Sequence, residues 1–168
     1  MCINDYKTFN AYFLLSFSME QMFAVVSDVE HYYRFVPFCK KSDVYSRKPG
    51  FLRADLIIGF PPLHESYTSN VTLQKPNFIK AECRDGKLFN YLLNYWRFSP
   101  GLKDISQSSV IDFKVEFDFK SAIHSNFANI FFDQIVIKME QAFIDEAVRR
   151  YGQPKLRSHI ISSHGVKS

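Results

Sequence analysis

The sequence predicts an α+β domain in which a curved antiparallel sheet packs against a long C-terminal helix. Three observations support this fold class: a stretch of strict alternation, a stretch of helical periodicity after it, and a series of turn signals before both. Strands in one run with helices at the ends are typical of a sheet covered by helices on one face. The space between such a sheet and its helix holds either a ligand or an ordinary packed core.

The clearest strand is the last of the run, Ser109–Phe119. From Ile111 onward, apolar side chains alternate with charged ones, and a period of two predicts a half-buried strand. One face of this strand is aromatic and the other is charged.

Helical periodicity begins near Ala128 and continues to Tyr151. The apolar positions follow steps of three, four, seven and eight, which predicts one apolar face. They are Ala128, Phe131, Phe132, Ile135, Val136, Met139, Ala142 and Phe143. Arg149, Arg150 and Gly152 match the charge and glycine signals of a helix C-terminus.

A second apolar stripe is expected on the opposite side of this helix. It consists of Ile130, Ile137, Ile144 and Val148. Such a stripe predicts a membrane surface or another protein chain as its partner, and scattered surface aliphatic residues are the plain alternative.

The amino end predicts one strand and two helices. Residues 10–17 form the expected strand, and Ser18 is a plausible N-cap for a helix over Met19–Ser27, with glutamine at the capping-box position. A second short helix is expected over Val29–Val36. Pro37 ends it, because proline disfavours helical geometry in the residue before it.

Turn signals divide the middle of the chain into strands with short connections, which implies antiparallel neighbours. These strands are a short one near Val44, then Phe51–Ile58, His64–Leu73, Phe78–Cys83, Phe89–Phe98 and Ser109–Phe119, so that the sheet has about seven strands. The domain is expected to span 10–152, between an N-terminal extension (1–9) and a flexible polar tail (153–168).

Composition and charge narrow the classes of function. The 168 residues have a formal net charge of +4, and three basic residues fall in the tail, so the folded part is close to neutral. A broad nucleic-acid footprint would need a more basic face. The one basic cluster fits either acidic lipid headgroups or a solvated loop, and it consists of Lys40, Lys41, Arg47, Lys48 and Arg53. The three cysteines form no CxxC pair and predict neither a disulfide framework nor a zinc site.

Aromatic content indicates the kind of interior, and hydropathy limits the kind of membrane contact. The 18 phenylalanines predict an interior rich in rings, compatible with a flat or polyprenyl ligand and equally with plain aromatic packing. No run approaches the roughly 18 apolar residues of a membrane span. The amino end shows neither a signal peptide nor an Arg-rich transit pattern, so any membrane contact is expected to be peripheral.

Five stretches, in this order, resemble one family: YRFVPFCKKSDV (33–44), IGFPPLHESYTSNVTLQKP (58–76), DGKLFNYL (85–92), WRFSPG (96–101) and FFDQIV (131–136). They make the chain similar to the coenzyme Q-binding proteins of the START-like, polyketide cyclase/dehydrase and lipid-transport superfamily. The resemblance implies a helix-grip fold, with the curved sheet wrapped around the C-terminal helix and a hydrophobic cavity between them.

The same resemblance implies a function. The expected ligand is ubiquinone or a prenylated precursor, bound without catalysis, covalent cofactor or metal. The expected place is the matrix side of the mitochondrial inner membrane, where the family supports respiratory electron transport and ubiquinone biosynthesis. No targeting segment is visible in this chain.

Two groups of residues are expected to contact such a ligand. The cavity wall is expected to consist of Phe113, Val115, Phe117, Phe131, Ile135, Val136 and Met139. The family motifs place at the cavity mouth Phe35, Pro37, Lys40, Lys41, Phe60, Pro61, Pro62, Glu65, Tyr67, Leu88, Phe89 and Trp96. Ordinary core packing is the plain alternative for the first group, and solvated surface is the alternative for the lysines.

Two other functions remain open on the same fold. The chain has no GxSxG, no HExxH and no glycine-rich phosphate loop, so standard catalytic signatures are absent. A cyclase or aromatase would use His64, Glu65 or Tyr67 as acid–base groups. A ribosome-associated interaction module, like bacterial relatives in the superfamily, is less compatible with a near-neutral folded body.

Overall fold

The computed structural model describes residues 7–61, 63–84, 86–120, 130 and 132–166. Its elements, in chain order, are β1 (Lys7–Leu15), α1 (Met19–Ser27), a 3₁₀ helix (Val29–Arg34), β2 (Cys39–Lys48), β3 (Phe51–Phe60), β4 (Leu63–Gln74), β5 (Phe78–Cys83), β6 (Phe89–Pro100), β7 (Ser109–Phe119), a π-helical turn (Phe132–Val136), α2 (Ile137–Tyr151) and β8 (His159–Val166). Within these described ranges, no helix combines the length and hydropathy needed to cross a membrane.

All eight strands form one antiparallel sheet in the order β2-β3-β4-β5-β6-β7-β1-β8. Strands β2 to β7 are a meander, as the turn signals predict, and β1 pairs with β7 from Lys7↔Phe117 to Leu15↔Ser109. The sheet curves around α2, so the predicted α+β helix-grip fold is confirmed.

Local sequence signals explain the best-defined element ends. Ser18 caps α1 with a complete capping box: its Oγ accepts from the Gln21 amide at 3.1 Å, and its own amide donates to Gln21 Oε1 at 2.8 Å. Gly152 ends α2 with a φ of +85°, a backbone conformation that favours glycine. Its amide donates to the Val148 carbonyl at 2.8 Å.

The inner face of the sheet, toward α2, carries the core. The alternation in β7 holds throughout, because Ile111, Phe113, Val115, Phe117 and Phe119 are all buried. Phe143 of α2 meets this face from the other side, with its ring centroid 4.8 Å from that of Trp96 on β6.

The expected second stripe on the C-terminal helix is only partly present. Ile130 and Ile137 are exposed, the latter by 47%, but Ile144 is 8% exposed and belongs to the core, and Val148 packs against it. Helix α1 packs against α2, with Asp28 at its end paired to Arg150, so the later part of the stripe is covered by a distant element while Ile137 stays in solvent. Ala128, residue 129 and Phe131, at the start of the predicted helix, lie outside the described residues.

The structure differs from the expected extension and tail at both ends. Strand β1 starts at Lys7 rather than at residue 10, and residues 159–166 form β8 instead of a flexible tail. Strand β8 pairs with the free edge of β1, with a bulge between Tyr12 and Phe13. Edge pairing uses backbone groups, so it requires no apolar alternation in the added strand.

Candidate functional site

A cavity of about 80 Å³ lies between the inner face of the sheet and the helices that cover it. Its lining is mostly apolar and comes from β2 to β7, the 3₁₀ helix with the loop after it, and the start of the C-terminal helix. The lining residues are Val29, Tyr32, Val36, Pro37, Cys39, Leu56, Ile58, Tyr67, Ser69, Val71, Ile79, Ala81, Glu82, Cys83, Leu92, Asn94, Trp96, Val115, Val136 and Met139.

The hollow exists because the centre of the inner face carries small side chains. Val71, Ala81, Asn94 and Val115 stand side by side on four neighbouring strands, in the registers Val71↔Ala81, Ala81↔Asn94 and Asn94↔Val115. The next inward-facing position along β6 is occupied by Trp96, which is 2% exposed and lies 4.2 Å from the Phe113 ring, centroid to centroid. Small groups beside a wall of rings leave a space that the side chains do not fill.

The roof combines rigid rings with one flexible side chain. Tyr32 is held by a hydrogen bond from its hydroxyl to the Val26 carbonyl and by an edge contact with Phe143 at 5.4 Å. Val136 and Met139 close the opposite part of the roof, at the junction between the π-helical turn and α2. Methionine has three rotatable bonds and adapts its shape, so Met139 is the roof residue best able to make room.

Besides Tyr32 in the roof and Glu82, whose carboxylate pairs with Lys80 and Arg84, three polar side chains interrupt the apolar lining: Tyr67, Ser69 and Asn94. Tyr67 packs edge-on against Phe89, with 5.5 Å between ring centroids, and burial raises the pKa of its hydroxyl. Asn94 donates from Nδ2 to Met139 Sδ at 3.5 Å, and its Oδ1 is buried with no partner in the described part of the chain. These groups can exchange hydrogen bonds with a ligand, but none is a base at neutral pH.

Two buried thiols, Cys39 and Cys83, also line the cavity. Burial is the main cause that raises the pKa of Cys39 to about 11, and its Sγ donates to the Lys41 carbonyl at 3.4 Å. The thiol of Cys39 is therefore neutral at physiological pH and behaves as a small apolar group.

The loop from the 3₁₀ helix into β2 lies beside the β3–β4 hairpin at the predicted cavity mouth. Phe38 adopts a φ of +59°, which is rare for a residue with a large side chain, and its ring meets Phe60 at 4.8 Å. Its carbonyl accepts from the Gly59 amide at 2.9 Å. The Lys40 side chain lies across Gly59, 2.6 Å from where a Cβ would be, so a larger residue at this position would displace that flexible side chain.

Six of the predicted ligand contacts line the cavity: Pro37, Tyr67, Trp96, Val115, Val136 and Met139. Phe113 and Phe117 lie in the core, as do Leu88 and Phe89 near the mouth. Phe35 is packed between Tyr32 and Phe143, and Phe60, Pro61, Glu65, Lys40 and Lys41 lie around the mouth strands. Phe131 and Pro62 lie outside the described residues, and Ile135 is placed by its backbone alone.

Sequence reasoning missed the small and polar lining residues. Ser69, Ala81 and Asn94 interrupt their strands with side chains that are neither aromatic nor branched, so they look like breaks in the apolar pattern rather than parts of a site. An asparagine at an inward-facing position of a strand is the one signal that was present, because a buried amide needs partners.

The arrangement offers little to an acid–base mechanism. Of the three cyclase candidates, Tyr67 lines the cavity, whereas His64 is exposed on β4 and Glu65 precedes Tyr67 near the mouth. Within the described ranges, no three His, Cys, Asp or Glu side chains are grouped closely enough to hold a metal ion.

Comparisons with known proteins agree with this architecture. Residues 15–144 match the family model described as polyketide cyclase / dehydrase and lipid transport. The "Coenzyme Q-binding protein COQ10, mitochondrial" of Drosophila melanogaster is 56% identical over 164 residues, which are 95% of this chain and 68% of that protein. The "Coenzyme Q-binding protein COQ10 homolog B, mitochondrial" of Xenopus laevis is 46% identical over 143 residues, 85% of this chain and 59% of that protein.

Among solved structures, the Zhui aromatase/cyclase from Streptomyces sp. R1128 aligns with a TM-score of 0.74 at 14% identity, over 86% of this chain and 95% of that one. At this identity the likeness concerns the fold alone. Together, the match over most of the domain and the two coenzyme Q-binding relatives show that the chain belongs to the coenzyme Q-binding proteins of the polyketide cyclase/dehydrase and lipid-transport family.

Proposed function

We propose that this protein binds a polyprenyl quinone of the coenzyme Q type in the cavity and carries it without chemical turnover. The observation that carries the proposal is the apolar cavity under α2, with three polar groups in its wall. The family membership and the printed names of the two animal relatives support the choice of ligand.

The cavity must enlarge to admit the ring. Sites for drug-sized ligands typically have volumes of roughly 300–1,000 Å³, whereas this one has about 80 Å³. A change of rotamer at Met139 and an outward shift of the Val36–Pro37 loop would widen it without breaking the sheet.

The isoprenoid tail would supply most of the affinity. Each buried CH₂ contributes about 0.8 kcal/mol, but the bilayer offers the tail the same stabilisation. The protein competes with the membrane only if it covers the ring and the first tail units on all sides. A wall built from the sheet and a roof built from helices meet that requirement.

The place of action we propose is the matrix face of the mitochondrial inner membrane, with peripheral contact. Both animal relatives carry "mitochondrial" in their names. There the protein would support respiratory electron transport and ubiquinone biosynthesis. A near-neutral folded body does not favour nucleic acid as a partner, nor the ribosome-associated alternative.

The sole tryptophan gives a direct test. Trp96 lines the cavity, so a quinone ring bound there would quench its fluorescence by contact. We expect delipidated protein to show saturable quenching with a short-tailed ubiquinone and no quenching with an alkane of the same chain length. Equal responses to both, or quenching that never saturates, would contradict the proposal.

A further inference from the structure

Asn94 is the polar side chain at the centre of the cavity wall. It stands between Ala81 on β5 and Val115 on β7, and it faces Met139 of α2. All three neighbours line the same cavity. An amide in such apolar surroundings requires partners for both its nitrogen and its oxygen.

The neighbour on the helix fixes the orientation of the amide. Asn94 Nδ2 lies 3.5 Å from Met139 Sδ, and a thioether sulfur can only accept a hydrogen bond. Turning the amide over would oppose two acceptors, so the nitrogen faces the sulfur. The oxygen then remains buried and without a partner in the described part of the chain.

A buried acceptor without a partner favours a ligand that donates a hydrogen bond to it. A quinone carries only carbonyl and ether oxygens on its ring, which accept hydrogen bonds, whereas the reduced quinol carries two phenolic hydroxyls, which donate them. A quinone carbonyl next to Asn94 Oδ1 would oppose two sets of lone pairs. A phenolic hydroxyl at the same place would satisfy the buried oxygen.

We infer that Asn94 accepts a hydrogen bond from a phenolic hydroxyl of the bound ring, so that the cavity prefers the quinol, or a phenolic precursor, over the quinone. The inference rests on the proposed function, because it concerns the ligand of the same cavity. It makes Asn94 a specificity-determining residue and assigns it no chemical step.

The two hydroxyl groups of the wall do not discriminate in this way, and the carboxylate of Glu82 is already engaged by Lys80 and Arg84. Tyr67 and Ser69 carry hydroxyls, which both donate and accept, so they can bond either form of the ring. They lie on β4, two strands away from β6, or about 10 Å between strand axes. That separation places them at the far side of the ring, opposite the oxygen that meets Asn94.

The test compares redox forms of one ligand. Short-tailed ubiquinone and its quinol, the latter kept reduced under anaerobic conditions, are titrated by calorimetry into delipidated protein and into the variant Asn94→Leu. We expect the native protein to bind the quinol about tenfold more tightly than the quinone. This ratio corresponds to a rise of about 30 mV in the midpoint potential of the bound couple, which voltammetry measures independently. Asn94→Leu should reduce the ratio to near one, chiefly by weakening quinol binding.

Asn90→Leu is the matched control. Asn90 lies on the same strand but is exposed, and it donates to Asp118 Oδ2 at 2.9 Å on the outer face. This variant should keep the native preference. A circular dichroism melt of each variant shows whether the fold is retained, and the ratio of two affinities within one variant cancels any loss of active protein.

A third ligand distinguishes between a quinol and a phenolic precursor as the preferred ligand. A phenol with the same tail tests whether one hydroxyl is enough, as in a biosynthetic precursor, or whether the second hydroxyl of the quinol is also read. If phenol and quinol both bind more tightly than the quinone, the inference is supported, whichever of the two has the higher affinity. Equal affinities for quinone and quinol, or a preference that survives Asn94→Leu, would overturn it while leaving the carrier function intact. If none of the three rings binds, the proposed function is contradicted as well.

Discussion

At the level of single residues, the cavity depends on what the inner face lacks. Ser69 and Ala81 occupy positions where a phenylalanine or leucine would fill the space under α2. The same face carries Trp96 and Phe113 one register step away, packed tightly together. A core of this kind remains partly empty only where small residues keep it so.

A substitution that fills the cavity should abolish ligand binding at only a small cost in the stability of the fold. Ala81→Phe places a ring in the space that a ligand would occupy, so we expect quinone-dependent quenching of Trp96 to disappear. Overpacking a core typically costs about 1–3 kcal/mol, and the existing hollow should keep the loss near the lower end. Ala24→Phe, at an exposed position of α1, is the control and should leave binding unchanged. Full binding by Ala81→Phe would show that the ligand lies elsewhere.

At the level of elements, the far end of α2 is held to α1 by an ion-pair network. Glu146, 6% exposed, accepts from Arg149 and Arg150 at 2.7 Å. Arg150 also donates to Asp28, the C-cap of α1, at 2.6 Å. The guanidinium of Arg149 is the largest cause that lowers the pKa of Glu146 to about 2. The network fixes one end of the helix while Met139 lies near the other.

Removing this anchor should destabilise the fold in a pH-dependent way. Glu146→Gln loses charge-assisted hydrogen bonds in a buried place, and we expect a loss of about 2 kcal/mol near pH 7. The carboxylate has a lower pKa in the folded state, so its contribution is complete above its ordinary pKa and is lost as the pH falls from about 5 to about 2. Urea unfolding of both proteins across that range should show the difference shrinking toward acid.

Glu140→Gln on the same helix is the opposite case and serves as the control. Burial raises the pKa of Glu140, so its charged form is disfavoured in the folded state. Its replacement should be neutral or slightly stabilising at pH 7. A loss as large as that of Glu146→Gln would show that any charge removed from α2 has the same effect.

Some elements are determined by local sequence signals, and others form only through partners far away in the chain. Strand β7 and helix α1 were predictable to the residue, because strict alternation and a capping box are local signals. Strand β8 was not, since it forms only because β1 offers a free edge far away in the sequence. The burial of Ile144 was missed for the same reason: the partners that cover it come from distant elements.

At the level of the whole molecule, the proposed membrane contact would use the end of the sheet where the cavity mouth lies. Lys40 and Lys41 are exposed there, beside the Phe38–Phe60 pair. Lys75 and Lys103 are exposed at the opposite end, where β4 meets β5 and β6 meets β7. The chain thus offers two lysine pairs of equal charge at opposite ends of one sheet.

Charge reversal at the two ends should have different effects on membrane binding. Each lysine near an anionic bilayer contributes about 1 kcal/mol, so Lys40→Glu with Lys41→Glu should weaken binding to vesicles about tenfold or more. The vesicles contain phosphatidylcholine with an anionic phospholipid, and binding is measured by co-sedimentation. Lys75→Glu with Lys103→Glu should change binding far less. Equal losses from both pairs would indicate a response to net charge rather than contact at the mouth.

The central claim is that the space under the C-terminal helix holds a prenylated quinone. The most direct measurement is to purify the native protein without detergent, extract it with organic solvent and identify the lipid by mass spectrometry, with Ala81→Phe processed in parallel. We expect a polyprenyl quinone, quinol or precursor in stoichiometric amount from the native protein and none from the variant. Native protein that yields no prenylated ring, or the same lipids from both proteins, would contradict the claim.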